Sequence, residues 1–150
     1  MRKIINTFNA LTLIELLAVI AIIGVLASIS AAFIRAYQPN IKLYTETRTL
    51  REALEEARSR TIAEQQLYGV RFFQEEGSYE LVNLEGGVSV IASHALPNGV
   101  WFASIHAFEN STVRFNKAGA AHESGDVVLR NSDNEERTIS INPSGYIETD

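Results

Sequence analysis

At 150 residues the chain has room for one ordinary domain and not two. It contains no cysteine, which excludes disulfides, cysteine zinc sites and thiol nucleophiles, and its formal net charge of −5 gives no general attraction for nucleic acid or anionic lipid. An average composition, 46% hydrophobic and 21% charged, hides a division: residues 11–34 carry a single charge, Glu15, while the rest is a polar–apolar mixture with material for only a modest core.

The chain opens with MRKIINTFNA, in which Arg2 and Lys3 favour a cytoplasmic side. Arg35, Lys42 and Arg48 follow the apolar run and weaken that charge rule. Between Leu16 and Ile34 no residue is charged. Those residues as a helix span roughly 28 Å, close to the ~30 Å hydrocarbon core of a bilayer. A core helix of a small soluble domain would not be apolar on every side. The competing reading is a secretory signal peptide, with Ala27, Ala31 or Ala32 imitating a cleavage site, but its apolar region runs only ~7–15 residues.

The stretch Ala10-Leu11-Thr12-Leu13-Ile14-Glu15-Leu16-Leu17 resembles the class III prepilin signature of the type IV pilin-like proteins: a small residue, a cut, then an apolar residue, Thr, Leu, Ile, Glu, Leu. The continuation AVIAIIGVLASIS is similar to the pilin helix, with Gly24 where the family often has glycine. Ala10 and Leu11 stand where the family usually has Gly and Phe, a departure that bears on cleavage efficiency. The resemblance implies that a membrane-embedded prepilin peptidase, an aspartic protease, cuts between Ala10 and Leu11 and methylates the new amine of Leu11. It further implies three parts: a leader (1–10), a transmembrane and polymerisation helix (11–36) and an extracytoplasmic head (37–150).

Glu15 sits five residues into the expected mature helix. An ionised carboxylate in hydrocarbon costs several kcal/mol unless it is paired. Either it lies shallow enough to reach the interface, or it pairs with the Leu11 amine of a neighbouring subunit, a partner that exists only after the cut. Gly24 and Pro39 have two readings as well. Membrane helices tolerate glycine, and both residues also soften a helix, Pro39 with an expected kink near the membrane exit.

From about 41 to 66 the pattern is helical, with Leu43, Thr47, Leu50, Leu54, Ala57 and Thr61 on one face and Glu56, Arg60 and Glu64 as i,i+4 neighbours on the other. From residue 67 the period changes to two. Strands are expected over 68–73, 79–84, 88–93, 100–105, 112–116, 126–130 and 137–142, separated by turn signals such as Glu85-Gly86-Gly87 and Pro97-Asn98-Gly99. Tight turns imply antiparallel pairing. The expected fold is α+β: a long N-terminal transmembrane helix continuing into an amphipathic helix packed on an antiparallel β-sheet.

The tail VRFNKAGAAHESGDVVLRNSDNEERTISINPSGYIE resembles the last part of GspH-like minor pseudopilins of type II secretion and of the related FimT-like minor pilins: an apolar-Phe-x-x-x-Gly strand and turn, two strands, a Gly turn and a short final strand. The family implies a minor structural subunit of a secretion pseudopilus or type IV pilus in the inner membrane, its head in the periplasm. Its implied partners are the prepilin peptidase, other pilins or pseudopilins, an inner-membrane platform protein and an assembly ATPase. The rivals are a DNA-binding minor pilin of natural transformation and a single-pass membrane protein that never polymerises. FimT-like DNA receptors are expected to carry arginines after the last turn, where this chain has Tyr146 and Glu148, so no nucleic-acid partner is expected.

Nothing points to catalysis. No phosphate loop, dinucleotide loop or nucleophile elbow is present, and no cofactor is expected. His94, His106 and His122 lack metal-ligand spacing, and Asp126, Asp133 and Glu135 do not match an EF-hand loop, although a loop calcium site remains an alternative. Trp101, Phe102 and Phe108 read as core and rim of the β-head, or as a contact surface for another subunit.

Overall fold

The structure is a computed structural model that describes residues 12–150, with the side chains of residues 31, 32, 35 and 36 outside the description. One α-helix, α1, runs Leu13–Glu64, followed by eight strands: β1 (Tyr68–Phe73), β2 (Ser78–Asn83), β3 (Ser89–Ala95), β4 (Val100–His106), β5 (Thr112–Arg114), β6 (Gly125–Asn131), β7 (Glu136–Ile141) and β8 (Ile147–Thr149). The chain divides into two compact units after Tyr37.

In the first unit the helix is apolar and bare. Leu13–Ser30 is long and apolar enough to cross a membrane, and none of it is buried by the chain's own fold. Leu13, Ile14, Ile22 and Phe33 are all well exposed. Ser28 and Ser30, the hydroxyls within the run, donate to the backbone oxygens of Val25 and Leu26 at 2.7 and 2.9 Å, so they leave no orphan polar group in an apolar medium.

The second unit, from Gln38 onward, holds the whole buried core. Its part of α1 buries the six positions read from the sequence: Leu43, Thr47, Leu50, Leu54, Ala57 and Thr61 are each at most 3% exposed. Thr47 and Thr61 are tolerated there because their hydroxyls donate back to Leu43 O and Ala57 O. On the solvent face Arg60 reaches Glu56 at 2.8 Å and Glu64 at 3.6 Å. The helix ends at Glu64, two residues before the sequence pattern fades. Gln65 turns into the left-handed region (φ 55°) and donates to Ile62 O, and the Tyr68 amide then bonds the Thr61 hydroxyl at 3.1 Å, launching β1.

The strands form two antiparallel four-stranded sheets, ordered β3-β2-β1-β5 and β4-β6-β7-β8. β1 to β3 are a meander, β4 opens the second sheet, β5 returns to pair with β1 (Val70 opposite Val113), and β6 to β8 complete the second sheet. Both sheets and α1 share one apolar cluster, in which Val70, Phe72 and Leu81 from the first sheet meet Phe102, Leu129 and Ile139 from the second. The expected fifth strand stops at Arg114; Phe115 continues it only as an isolated bridge to Ala121.

Candidate assembly site

The expected cleavage and methylation positions, Ala10 and Leu11, lie outside the described residues. The remaining candidate, Glu15, is at the start of α1. Its Oε2 accepts from both the backbone amide and the hydroxyl of Thr12, each at 2.8 Å, while the Glu15 amide donates to the Thr12 hydroxyl at 3.3 Å. This is a capping box: residues three apart satisfy each other's orphan amides at a helix N-terminus. The Thr-x-x-Glu spacing carries that signal in plain view, and the sequence reading passed over it. A carboxylate offers about four acceptor positions, so Thr12 orients Glu15 and leaves capacity for a cation.

Gly24 has open space around it: a Cβ there would meet nothing within 4 Å. Packing within this chain therefore does not require glycine. Pro39 lies inside α1, which is helical on both sides of it, although proline cannot donate the usual i→i−4 bond. The residues just after it are tied to the head. Asn40 accepts at 2.8 Å from the side-chain amide of Asn131 and donates to Glu135 at 3.2 Å, and Lys42 donates to Asn98 O at 3.2 Å. Asn131 is fully buried, and its Oδ1 also accepts from the amides of Asp133 and Glu135, so one side chain shapes the β6–β7 turn and joins it to the helix. The expected strand stopped at Arg130, one residue short of Asn131, which was given no role; β6 in fact ends on Asn131.

The tail motifs converge in space. Gly119 (φ +85°) and Gly145 (φ +80°) close the turns after Phe115 and after β7, and a Cβ on Gly145 would stand 1.9 Å from Gly119 O. Arg58 of α1 donates to that same oxygen at 2.8 Å. Of the aromatic trio, Phe102 is core, edge-on to Phe72 at 5.7 Å, Phe108 packs on the core's border, and Trp101 is 39% exposed. His94 lies 2.9 Å from Glu46 and 5.1 Å from the Tyr79 ring. Among the described residues no group of His, Asp and Glu could hold a metal.

Two family descriptions match the chain: Type II transport protein GspH over residues 46–145, and the prokaryotic N-terminal methylation motif over 6–31. The structure is similar to that of the minor pseudopilin EpsH from the type 2 secretion system of Vibrio cholerae (TM-score 0.64, 12% identity, covering 72% of this chain and 95% of that one). It is also similar to the type IV minor pilin FimU of Pseudomonas aeruginosa (TM-score 0.58, 14% identity, covering 72% and 92%). These likenesses show a shared fold. No protein among those with curated descriptions matches the chain. The methylation motif implies processing by prepilin peptidase and assembly with other pilins. With a GspH match across most of the head and a methylation motif across the apolar helix, the chain belongs to the GspH family: it is a pilin-like minor subunit of a type II secretion pseudopilus or a type IV pilus, with one N-terminal membrane anchor.

Proposed function

We propose that residues 1–10 are a leader cut from Leu11 by prepilin peptidase, that residues 11–36 anchor the protein in the inner membrane and then enter a filament, and that residues 37–150 form a periplasmic head with a structural and not a catalytic role. The observation that carries this reading is the bare apolar surface of α1 beginning at the Thr12–Glu15 capping box: the chain's own fold covers none of Leu13–Ser30. Lipid covers such a surface before assembly, and the helices of neighbouring subunits cover it afterwards. Extraction from the membrane would draw on an inner-membrane platform protein and a cytoplasmic ATPase.

Glu15 is the assembly residue in this reading. Cleavage creates a cation at Leu11 close to the depth of Glu15, and Thr12 holds the carboxylate toward the helix start. A Leu11 amine on one subunit and Glu15 on the next then neutralise each other in a medium where either alone is costly. Gly24 and Pro39 supply places where the helix adjusts as it packs. The test is Glu15→Ala: membrane insertion persists, while incorporation into filaments, assayed by shearing and immunoblotting, falls. Incorporation equal to wild type would exclude the pairing.

A further inference from the structure

Three arginines line one cleft on the head. It lies between α1 and the β7–β8 edge, encloses about 210 Å³, and is bounded by Tyr44, Thr47, Arg48, Arg51, Arg137 and Thr149. All of these residues belong to the second unit. In a chain of net charge −5, such a gathering of cations is the reverse of the average. Arg137 is fixed in place: its guanidinium stands 5.2 Å over the Tyr44 ring and donates through one terminal nitrogen to Asp150 O at 2.7 Å. Arg48 and Arg51 are more loosely held. Among the described residues each reaches only its own helix neighbour, Glu52 or Glu55, and only through Nε. These are exposed i,i+4 pairs, with 71% and 41% of the arginine side chains accessible, and such pairs contribute little. The terminal nitrogens of both guanidinium groups therefore keep their donors for another acceptor.

Arg58 also bonds only through Nε, to Gly119 O, but stands alone beside the β7–β8 turn, and three other arginines of the head are held through their terminal nitrogens. Arg71 spends a terminal nitrogen on Glu80, Arg130 on Glu136, and Arg114 on both Glu109 and Glu123. The complementary feature sits on the same molecule. Glu75 and Glu76, in the β1–β2 turn, are exposed and, among the described residues, form no ion pair.

We propose that the arginine cleft is a carboxylate-binding site that receives an acidic turn from a neighbouring pilin-type head, a turn of the kind this chain presents at Gln74–Gly77. Planar guanidinium forks match carboxylates bidentately, and several of them around one cleft fix orientation as well as charge. A contact between a cationic cleft on one subunit and an acidic turn on the next is heterologous, the type of contact that builds helical filaments. It gives the heads a register beyond that set by the N-terminal helices. This inference rests on assembly with other pilins, but its test needs no filament, so failure here leaves the Glu15 pairing standing.

The test is a titration of the full chain in neutral detergent micelles, followed by the arginine Nε–Hε resonances. The probes are acetyl-Gln-Glu-Glu-Gly-amide, its all-glutamine analogue, and inorganic phosphate. The expected result is a saturable, salt-weakened shift at Arg48, Arg51 and Arg137 with the glutamate peptide and none with the analogue. The Arg48→Gln/Arg51→Gln variant, changed at one exposed and one half-buried helix position outside the core, should bind roughly tenfold more weakly. Three results overturn the proposal: no shift with the glutamate peptide, equal affinity in the double variant, or phosphate matching the peptide, which would make the cleft a general oxyanion site.

Discussion

Arg58 donates through Nε to the carbonyl oxygen of Gly119 at 2.8 Å, and Gly145 leaves no room for a side chain beside that same oxygen. The helix, the turn after Phe115 and the turn before β8 thus meet at one point. Gly145→Ala would add strain at φ +80° and drive a Cβ into backbone. Its expected cost is roughly 2–5 kcal/mol, from a left-handed non-glycine residue together with overpacking. Arg58→Ala leaves the Gly119 carbonyl without this donor and costs about 1–2 kcal/mol. Urea unfolding of the full chain in micelles measures both; an unchanged midpoint for Gly145→Ala would contradict the packing described.

Asn131 is a polar residue at 0% exposure with three partners: the amides of Asp133 and Glu135 on its oxygen and Asn40 on its nitrogen. Asn131→Ala strands two turn amides and should cost about 2–4 kcal/mol. Asn131→Asp keeps the acceptor and loses the donor to Asn40, so a smaller loss is expected at neutral pH. Equal losses would mean that the turn amides contribute nothing.

The head helix and most strands were legible because burial imposes a period. Thr47 and Thr61 fell on the buried face with the leucines because their hydroxyls can close on the preceding turn, and β1 was bounded correctly because the period changes to two at residue 67 and a Glu75-Glu76-Gly77 turn follows. What periodicity could not carry was pairing between distant strands. The return of β5 to β1, and with it the split into two sheets, is a long-range contact with no local mark. The short β8 came only from family resemblance. Asn131 was opaque for a different reason: its role depends on Asn40, far away in sequence. Thr12, by contrast, was readable from its spacing to Glu15.

Burial raises the Tyr79 phenol well above its ordinary value of 10.0, with Glu46 and Glu52 adding to the effect. The folded state therefore holds the neutral phenol after the unfolded chain would have released its proton. Tyr79 thus has no pH-dependent effect well below pH 10, and stability falls as pH rises beyond it. Tyr79→Phe should flatten that alkaline loss without removing it, because Tyr68, bonded to Glu64, is raised too. Chemical denaturation at a series of pH values reads this directly; parallel curves for the two proteins would contradict it.

Nucleic acid is not an expected partner of the head. Arg114 is held by Glu109 and Glu123, Arg130 by Glu136 and Lys117 by Glu85, so phosphate would have to displace carboxylates at each. Fluorescence titration of the full chain in micelles with duplex DNA at physiological salt should show only weak, non-specific association. Micromolar or tighter binding, lost on replacing Arg114 and Arg130, would favour a role in DNA uptake.

The central claim is that this chain is a prepilin substrate whose mature chain begins at Leu11, one residue before the Thr12 cap of α1. Intact-mass and N-terminal fragment spectra, taken after co-expression with a prepilin peptidase, test it most directly. The account predicts loss of MRKIINTFNA and a single methyl group on the Leu11 amine, with cleavage abolished by a large residue in place of Ala10. Cleavage after Ala27 or Ala32, or an intact N-terminus in the presence of active peptidase, would contradict it.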